Sequence, residues 1–127
     1  MTLRGGAQDA AAFLAREPAC EADIVLAADV APWVGALEPL LAGAAHALAP
    51  GGLLALSTEE ERAGEGGEGA SQAPRLSEWV RFVHAQPYVE AAAAAAGFEV
   101  VVSRRAAIRY QGAAPVQGRA FVLRRGG

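Results

Sequence analysis

Lysine is absent from this chain of 127 residues, and cysteine and aromatic residues are scarce. All 11 basic residues are arginine, a bias that, with abundant alanine and glycine, is typical of GC-rich coding and indicates no particular function. The single cysteine, Cys20, excludes an internal disulfide and a metal site built from clustered cysteines. We expect no metal site, and a reducing, cytoplasmic location.

Long apolar runs are also missing. No segment approaches the roughly 20 consecutive apolar residues that a membrane-spanning helix needs. Near the start of the chain, Asp9 and Glu17 interrupt any apolar stretch, which argues against a secretory signal. We therefore expect no membrane partner. A hydrophobic content of 53% is enough to build the core of one small domain over residues 1–127.

Acidic residues are absent after Glu99, whereas six arginines follow it. A basic tail of this kind can contact phosphate groups or an acidic partner. Surfaces that bind single-stranded nucleic acid usually add aromatic side chains on which bases stack, and no such platform accompanies these arginines. We expect the arginines to face solvent, and we do not expect nucleic acid as a partner.

Two short apolar runs predict buried strands on either side of a helix. Residues 23–29 (DIVLAAD) and 53–57 (LLALS) lack polar alternation, as strands covered on both faces of a parallel sheet do. Residues 36–48 carry an apolar stripe at helical spacing, and Pro39 fits only the first turn of that helix. The PGG motif at 50–52 ends the helix and turns the chain. Strand, helix and strand predict a right-handed crossover with parallel strands.

The second half of the chain predicts one more helix and two more strands. Pro87 opens the helix over residues 87–96, and Gly97 ends it. Residues 98–105 and 119–125 read as strands. Because no helix signal separates them, we expect an antiparallel pair and not another crossover.

Two further segments complete the pattern. Residues 8–15 (QDAAAFLA) predict a short helix. Residues 59–75 (EEERAGEGGEGASQAPR) are acidic and rich in glycine, and they predict a flexible loop that is either disordered or a lid over a site.

The order of these elements resembles the C-terminal half of a class I S-adenosylmethionine-dependent methyltransferase, nearest to predicted methyltransferases with tetratricopeptide repeats. The resemblance covers nearly the whole chain from Leu3. Four segments carry it: DIVLAADV at 23–30, LEPLLAGAAHALAPGGLLALSTE at 37–59, RFVHAQPYVEAAAAAAGFEVV at 81–101, and RYQGAAPVQGRAFVLRR at 109–125.

The resemblance implies an α/β fold with a partial Rossmann-like methyltransferase sheet. Two parallel central strands would be joined by an antiparallel strand pair at one end, with the helices mainly on one face. The implied function is methyl transfer from S-adenosylmethionine to an unknown acceptor.

The sequence departs from this family where the cofactor is mainly bound. The family holds the cofactor with a Gly-rich loop after its first strand and with an acid that binds the ribose hydroxyls. The LRGG motif at 3–6 follows no strand, and GEGGEG at 64–69 lies in acidic polar sequence. The resemblance therefore begins at about the family's third strand, and the S-adenosylmethionine site is incomplete.

Other functions stay open because the site is incomplete. We expect the isolated chain to be inactive. One alternative is a truncated, non-catalytic remnant, or a subunit that needs a partner chain. Another is an unrelated α/β binding module of flavodoxin-like type.

The resemblance also implies cofactor-binding residues, because ligands of open α/β sheets bind beyond the carboxyl ends of the strands. Ala27, Ala28 and Asp29 match the segment that runs beside the methionine portion of the cofactor. Asp9 matches an acid that contacts the adenine amino group. The alternative roles are a loop or helix cap for Asp29 and a first-turn helix acid for Asp9.

Ser57, Thr58 and Glu59 follow the second buried strand and are candidates for the substrate side. The candidates for catalysis are His84 and Tyr88, which match a recurrent pattern of the group. A histidine at this edge can accept a proton from the substrate nucleophile, or it can anchor a loop.

An exposed apolar surface is the last expectation. Side chains alternate between the two faces of a strand, and both runs are apolar throughout, whereas the helices suffice for one face. An open face beside an unpaired strand edge favours self-association or the binding of a complementing chain.

Overall fold

The computed structural model describes residues 10–28, 30–60, 75–76 and 82–126. Its elements are α1 (Ala10–Arg16), β1 (Ala22–Ala27), α2 (Ala31–Val34), α3 (Glu38–Ala47), β2 (Leu48–Glu59), β3 (Arg75–Leu76), β4 (Phe82–Val83), α4 (Gln86–Ala95), β5 (Phe98–Gln111) and β6 (Ala114–Arg125). The predicted elements occur in the predicted order, and α2, β3 and β4 are additional to them.

Four strands form the main sheet, in the order β1-β2-β6-β5. β1 and β2 are parallel, whereas β6 pairs antiparallel with both β2 and β5. The predicted α/β fold with a parallel pair and an antiparallel pair is confirmed. The two antiparallel pairings argue against the mostly parallel sheet of a flavodoxin-like module. Among the described strands, β1 is an edge strand.

The crossover between β1 and β2 differs from the prediction at one point. Pro39 lies in the first turn of α3, as expected, but the helix ends at Ala47 and β2 begins at once. The PGG motif therefore lies inside β2, where the register jumps and Gly51 has φ +80°. Glycine allows this left-handed turn within a strand at little steric cost. The short helix α2 lies between β1 and α3, where no helix was predicted.

The second half follows the prediction, with longer strands. Pro87 lies in the first turn of α4, and Gly97 follows it with φ +89°. β5 and β6 extend beyond 98–105 and 119–125 into a long hairpin that turns at residues 112–113. The sequence did not indicate this extension because the far end of the hairpin is solvated and lacks an apolar pattern.

The core lies on one face of the sheet. Leu54 and Leu56 of β2 and Phe121 and Leu123 of β6 are buried there against apolar side chains of α3 and α4. α1 packs on α3 and not directly on the sheet. The predicted arrangement of helices on one face is therefore confirmed for the described elements.

The opposite face of β1 is open. Ile24 is 63% exposed and Leu26 is 74% exposed, so β1 is not covered on both faces as a strand of a complete parallel sheet would be. On β2, Leu53 and Ala55 share this face and are half-buried. The predicted open apolar face is confirmed at β1.

The predicted loop over residues 59–75 lies mostly outside the described residues. At its ends, Glu59 is the last residue of β2, and Arg75 belongs to β3, which pairs with β4. The flexibility of this segment stays a prediction. Within the described parts of the chain, no helix is long and apolar enough to cross a membrane.

Gly118 and Gly51 are required for different reasons, and stability measurements can distinguish them. A Cβ at Gly118 would lie 2.1 Å from the Thr58 backbone oxygen, whereas a Cβ at Gly51 would meet nothing within 4 Å. We expect Gly118→Ala to lower the free energy of unfolding by about 3 kcal/mol through overpacking. Gly51→Ala should cost only about 1 kcal/mol, for its left-handed backbone. Urea denaturation measures both, and equal losses would contradict the packing around Gly118.

Candidate functional site

The carboxyl ends of β1 and β2 form the edge at which ligands of such sheets bind. Ala27 is the buried last residue of β1 and pairs with Leu56, so β2 continues past the end of β1. Ala28 follows in a turn and is exposed. Two of the predicted cofactor residues, Asp9 and Asp29, lie outside the described residues, and their roles stay predictions.

The three substrate-side candidates do not share a face. Ser57 is half-buried and, by strand alternation, points to the open side of the sheet with Glu59, whereas Thr58 points toward the helices. Thr58 and Glu59 are almost completely buried. The Thr58 hydroxyl oxygen, Oγ1, has no hydrogen-bond partner among the described residues.

His84 lies against the end of β2. Its backbone N–H donates to the Glu59 carbonyl oxygen at 2.9 Å, and its Nε2–H donates to the Gly35 carbonyl oxygen at 2.5 Å. Because a carbonyl can only accept, Nδ1 is the nitrogen that carries the lone pair. Nδ1 is buried and has no partner within the described parts of the chain.

The environment of His84 favours the neutral imidazole. Burial lowers the pKa of His84 below its usual 6.5, although the bond to the Gly35 carbonyl and the nearby Glu38 carboxylate act in the opposite direction. A neutral histidine with a free Nδ1 lone pair can accept a hydrogen bond or a proton.

Tyr88 lies in the first turn of α4, four residues after His84, and its ring is stacked on that of His84 at a centroid distance of 6.0 Å. The Leu37 N–H donates to the Tyr88 hydroxyl oxygen at 2.9 Å, and that hydroxyl donates to the Glu38 carboxylate, whose Oε2 lies 2.8 Å away. Burial, followed by the bond to Glu38, raises the pKa of Tyr88 to about 12. The phenol is therefore held neutral.

His84 and Tyr88 together tie the start of α4 to the segment between α2 and α3. The partners on that segment, Gly35, Leu37 and Glu38, were not identified from the sequence. Their contacts join residues 49 to 51 positions apart. The one signal available was Glu38 in the first turn of α3, which is equally typical of an ordinary helix start.

Glu60, directly after β2, forms a second polar cluster. Its carboxylate accepts from Arg119 Nε at 2.9 Å and pairs with Arg105 Nε at 3.0 Å. Arg119 also donates to Ser103 Oγ at 3.2 Å. Two arginines of the basic tail thus hold the end of β2 against the hairpin. The described residues contain no group of three or more side chains suited to hold a metal ion.

Several solved structures with a similar fold are methyltransferases. A 1,6-didemethyltoxoflavin-N1-methyltransferase from Burkholderia thailandensis, crystallised with bound 1,6-didemethyltoxoflavin and S-adenosylhomocysteine, is 18% identical with a TM-score of 0.62. The match covers 90% of this chain and 48% of that one. An S-adenosylmethionine-dependent methyltransferase from Mesorhizobium loti is 16% identical with a TM-score of 0.63, over 88% of this chain and 67% of that one.

The same fold is also similar to a protein with another named activity. The [4+2]-cyclase SpnF is 15% identical with a TM-score of 0.63, over 87% of this chain and 52% of that one. No family profile and no curated protein matches the chain. The chain therefore has a methyltransferase-like fold, and it spans about half the length of the Burkholderia enzyme and of SpnF.

The Tyr88 hydroxyl is expected to matter for stability. Tyr88→Phe leaves the buried Leu37 N–H without an acceptor, so we expect a loss of about 1–3 kcal/mol in the free energy of unfolding. Tyr110→Phe, at an exposed tyrosine, should change it by less than about 0.5 kcal/mol. Urea denaturation at neutral pH tests the pair, and an unchanged Tyr88→Phe would contradict the bond to Leu37.

The lowered pKa of His84 predicts a loss of stability in acid. In the unfolded chain this histidine takes up a proton near pH 6.5, whereas in the folded chain its lowered pKa means that protonation needs a lower pH. The contribution of His84 to the free energy of unfolding is therefore fully present above about pH 6.5 and is lost as the pH falls below that value. His84→Gln, which can still donate to Gly35, should remove this component. His46→Gln changes an exposed histidine and should leave this pH-dependent component of the stability unchanged. Urea denaturation between about pH 7.5 and about pH 5 measures the difference.

Proposed function

We propose that the chain forms the substrate-side part of an S-adenosylmethionine-dependent methyltransferase. The observation that carries the proposal is the methyltransferase-like sheet, with unpartnered buried polar atoms at its ligand-binding edge. The identities to solved methyltransferases are too low to assign an acceptor, and the cyclase on a similar fold makes an activity test necessary.

The residues at this edge are compatible with the cofactor. Thr58 Oγ1 and His84 Nδ1 are buried close to the end of β2 without partners among the described residues, and an unpaired buried polar group costs about 1–3 kcal/mol. Polar groups of a ligand, or of water, would satisfy them. At the end of β1, the small side chains of Ala27 and Ala28 would border the methionine portion. Asp9 would contact the adenine, and Asp29 would lie beside the methionine portion.

The chemistry asked of the protein is modest. Bound S-adenosylmethionine supplies an electrophilic methyl group, which a nucleophile on the acceptor displaces from sulfur in one step. The chain's own contribution is to align the acceptor with that methyl group, and alignment alone can account for several kcal/mol of the barrier. Ser57, which is half-buried, would orient the acceptor from the open side of the sheet, and the buried Glu59 would help to hold the end of β2 there.

Two roles remain for His84 and Tyr88. Their hydrogen bonds support a positioning role, because they fix the 35–38 segment relative to the end of β2. In a proton-acceptor role, His84 would use Nδ1, its free lone pair. That atom is buried, so an acceptor would first have to displace the side chains that cover it. Tyr88, with its raised pKa, would stay neutral in either role.

In our proposal, the residues described above form only part of the cofactor site. The Gly-rich loop and the ribose-binding acid of the family have no counterpart in the sequence, and the chain spans about half of the Burkholderia enzyme. A subunit that works with a complementing polypeptide fits these facts, and a non-catalytic remnant is the alternative.

Cofactor binding tests the proposal. We expect the isolated chain to bind S-adenosylhomocysteine more weakly than about 1 μM, a standard free energy of about −8 kcal/mol, because most contacts are missing. Titration to several millimolar, followed by backbone NMR, should shift residues at the ends of β1 and β2. Ala28→Trp should abolish the shifts by placing a bulky side chain where the methionine portion of the cofactor would lie. Ala113→Trp, at the exposed hairpin turn, should preserve them.

The outcomes separate the parts of the proposal. Absence of shifts at millimolar cofactor, or shifts confined to other regions, would contradict a cofactor site at this edge. Micromolar affinity would contradict the claim that the site is incomplete. Methyl transfer catalysed by the isolated chain would also contradict the claim that the site is incomplete.

A further inference from the structure

Trp33 is a large aromatic side chain that stays exposed beside the ligand edge. It lies in α2, the helix that follows the carboxyl end of β1, and it is 60% exposed. The two residues before it in the helix, Ala31 and Pro32, are almost completely buried. The helix therefore packs its small residues into the protein and leaves most of the indole in solvent, where the apolar surface of the ring gains nothing from burial.

Contacts with β2 and β4 hold α2 at the ligand edge. The Gly35 carbonyl, two residues after Trp33, accepts from His84 Nε2–H at 2.5 Å. The His84 backbone N–H in turn donates to the Glu59 carbonyl at the end of β2. A Cβ at Gly35 would lie only 3.2 Å from the Phe82 ring, so the backbone packs tightly there. The indole is therefore carried by a fixed backbone, which lowers the cost of ordering when a ligand binds.

The surface next to this helix is concave and apolar. The residues that line the open cleft are Ala11, Val34, Ala36, Pro39 and Leu40. Two of them, Val34 and Ala36, lie within three residues of Trp33 along the chain, so the cleft is close to the exposed ring. Concave apolar surfaces are typical of sites for small molecules, whereas the surface of another folded protein is mostly convex.

We propose that Trp33 stacks on a planar aromatic ring of the ligand that binds at this edge. An indole presents a large flat π surface, and stacking on such a surface is favourable for aromatic rings of many kinds. The ring has two sources under the proposed function, the adenine of the cofactor and an aromatic methyl acceptor. The inference rests on the proposed function, because it takes this edge of the sheet to be the place where the ligands bind.

NMR of the indole Nε1–H groups in the full chain tests the inference. The chain has two tryptophans, and Trp79→Phe assigns their signals. Three probes are titrated separately: S-adenosylhomocysteine, 2-naphthol, and decahydro-2-naphthol, which has the same carbon skeleton as 2-naphthol but is neither planar nor aromatic. We expect an aromatic probe to shift the Trp33 signal and decahydro-2-naphthol to leave it unchanged. A response to 2-naphthol shows that the ring can belong to an acceptor, whereas a response to S-adenosylhomocysteine alone identifies the ring as adenine.

Variants measure how far binding of the ring depends on the indole. Trp33→Leu keeps an apolar side chain but removes the aromatic face, so the dissociation constant of the responding probe should rise roughly fivefold. Trp33→Phe keeps a smaller aromatic face and should raise the dissociation constant only about twofold. Tyr110→Leu removes another exposed aromatic ring, at the far end of the hairpin, and should leave the dissociation constant unchanged.

The contrary results are distinct from a failure of the proposed function. An unchanged dissociation constant in Trp33→Leu, or equal responses to 2-naphthol and decahydro-2-naphthol, would overturn the inference. A Trp33 signal that stays fixed while S-adenosylhomocysteine shifts the ends of β1 and β2 would overturn it as well and would leave the proposed function standing. A response of Trp33 to 2-naphthol without any shift from S-adenosylhomocysteine would contradict the cofactor site and support the aromatic contact.

Discussion

The pairing of β2 on both of its edges is the interaction on which the rest of the structure depends. β1 lies parallel to it on one side and β6 antiparallel on the other, so one strand joins the crossover unit to the hairpin. Leu54 and Leu56 of this strand also enter the core beneath the helices. The same strand ends in Thr58 and Glu59. The position of the candidate site is therefore determined by the element that holds the sheet together.

Hydrogen bonds connect the carboxyl end of β2 to the segments around it. The Glu59 carbonyl accepts from the His84 backbone, the His84 ring donates to Gly35, and Tyr88 joins Leu37 to Glu38. Buried polar groups of this kind are costly when unpaired, so each bond restricts the geometry of the next. A neutral histidine and a neutral tyrosine fit such a network, because ionisation of either group would place an unsolvated charge in it.

The sequence predicted the elements well and the site incompletely, for physical reasons. Helix starts at Pro39 and Pro87 and the stop at Gly97 follow from local backbone preferences, and parallel pairing follows from the handedness of crossovers. The hairpin is longer than predicted because its solvated far end lacks an apolar pattern, and the short helix α2 depends on contacts with β2 and β4 that no local pattern encodes. The link from Tyr88 to Leu37 and Glu38 spans about half the chain, so only the folded topology brings these groups together.

The open face of β1 and the candidate site are neighbours, because β1 belongs to both. Leu26 lies on the open face, and the next residue, Ala27, borders the ligand edge. Ser57 lies on the same side of the sheet as Leu26, one row closer to that edge. Any chain that covers Leu26 would therefore approach the entrance to the ligand edge from the Ser57 side. Assembly and ligand binding would then share a boundary, because both depend on the carboxyl end of β1.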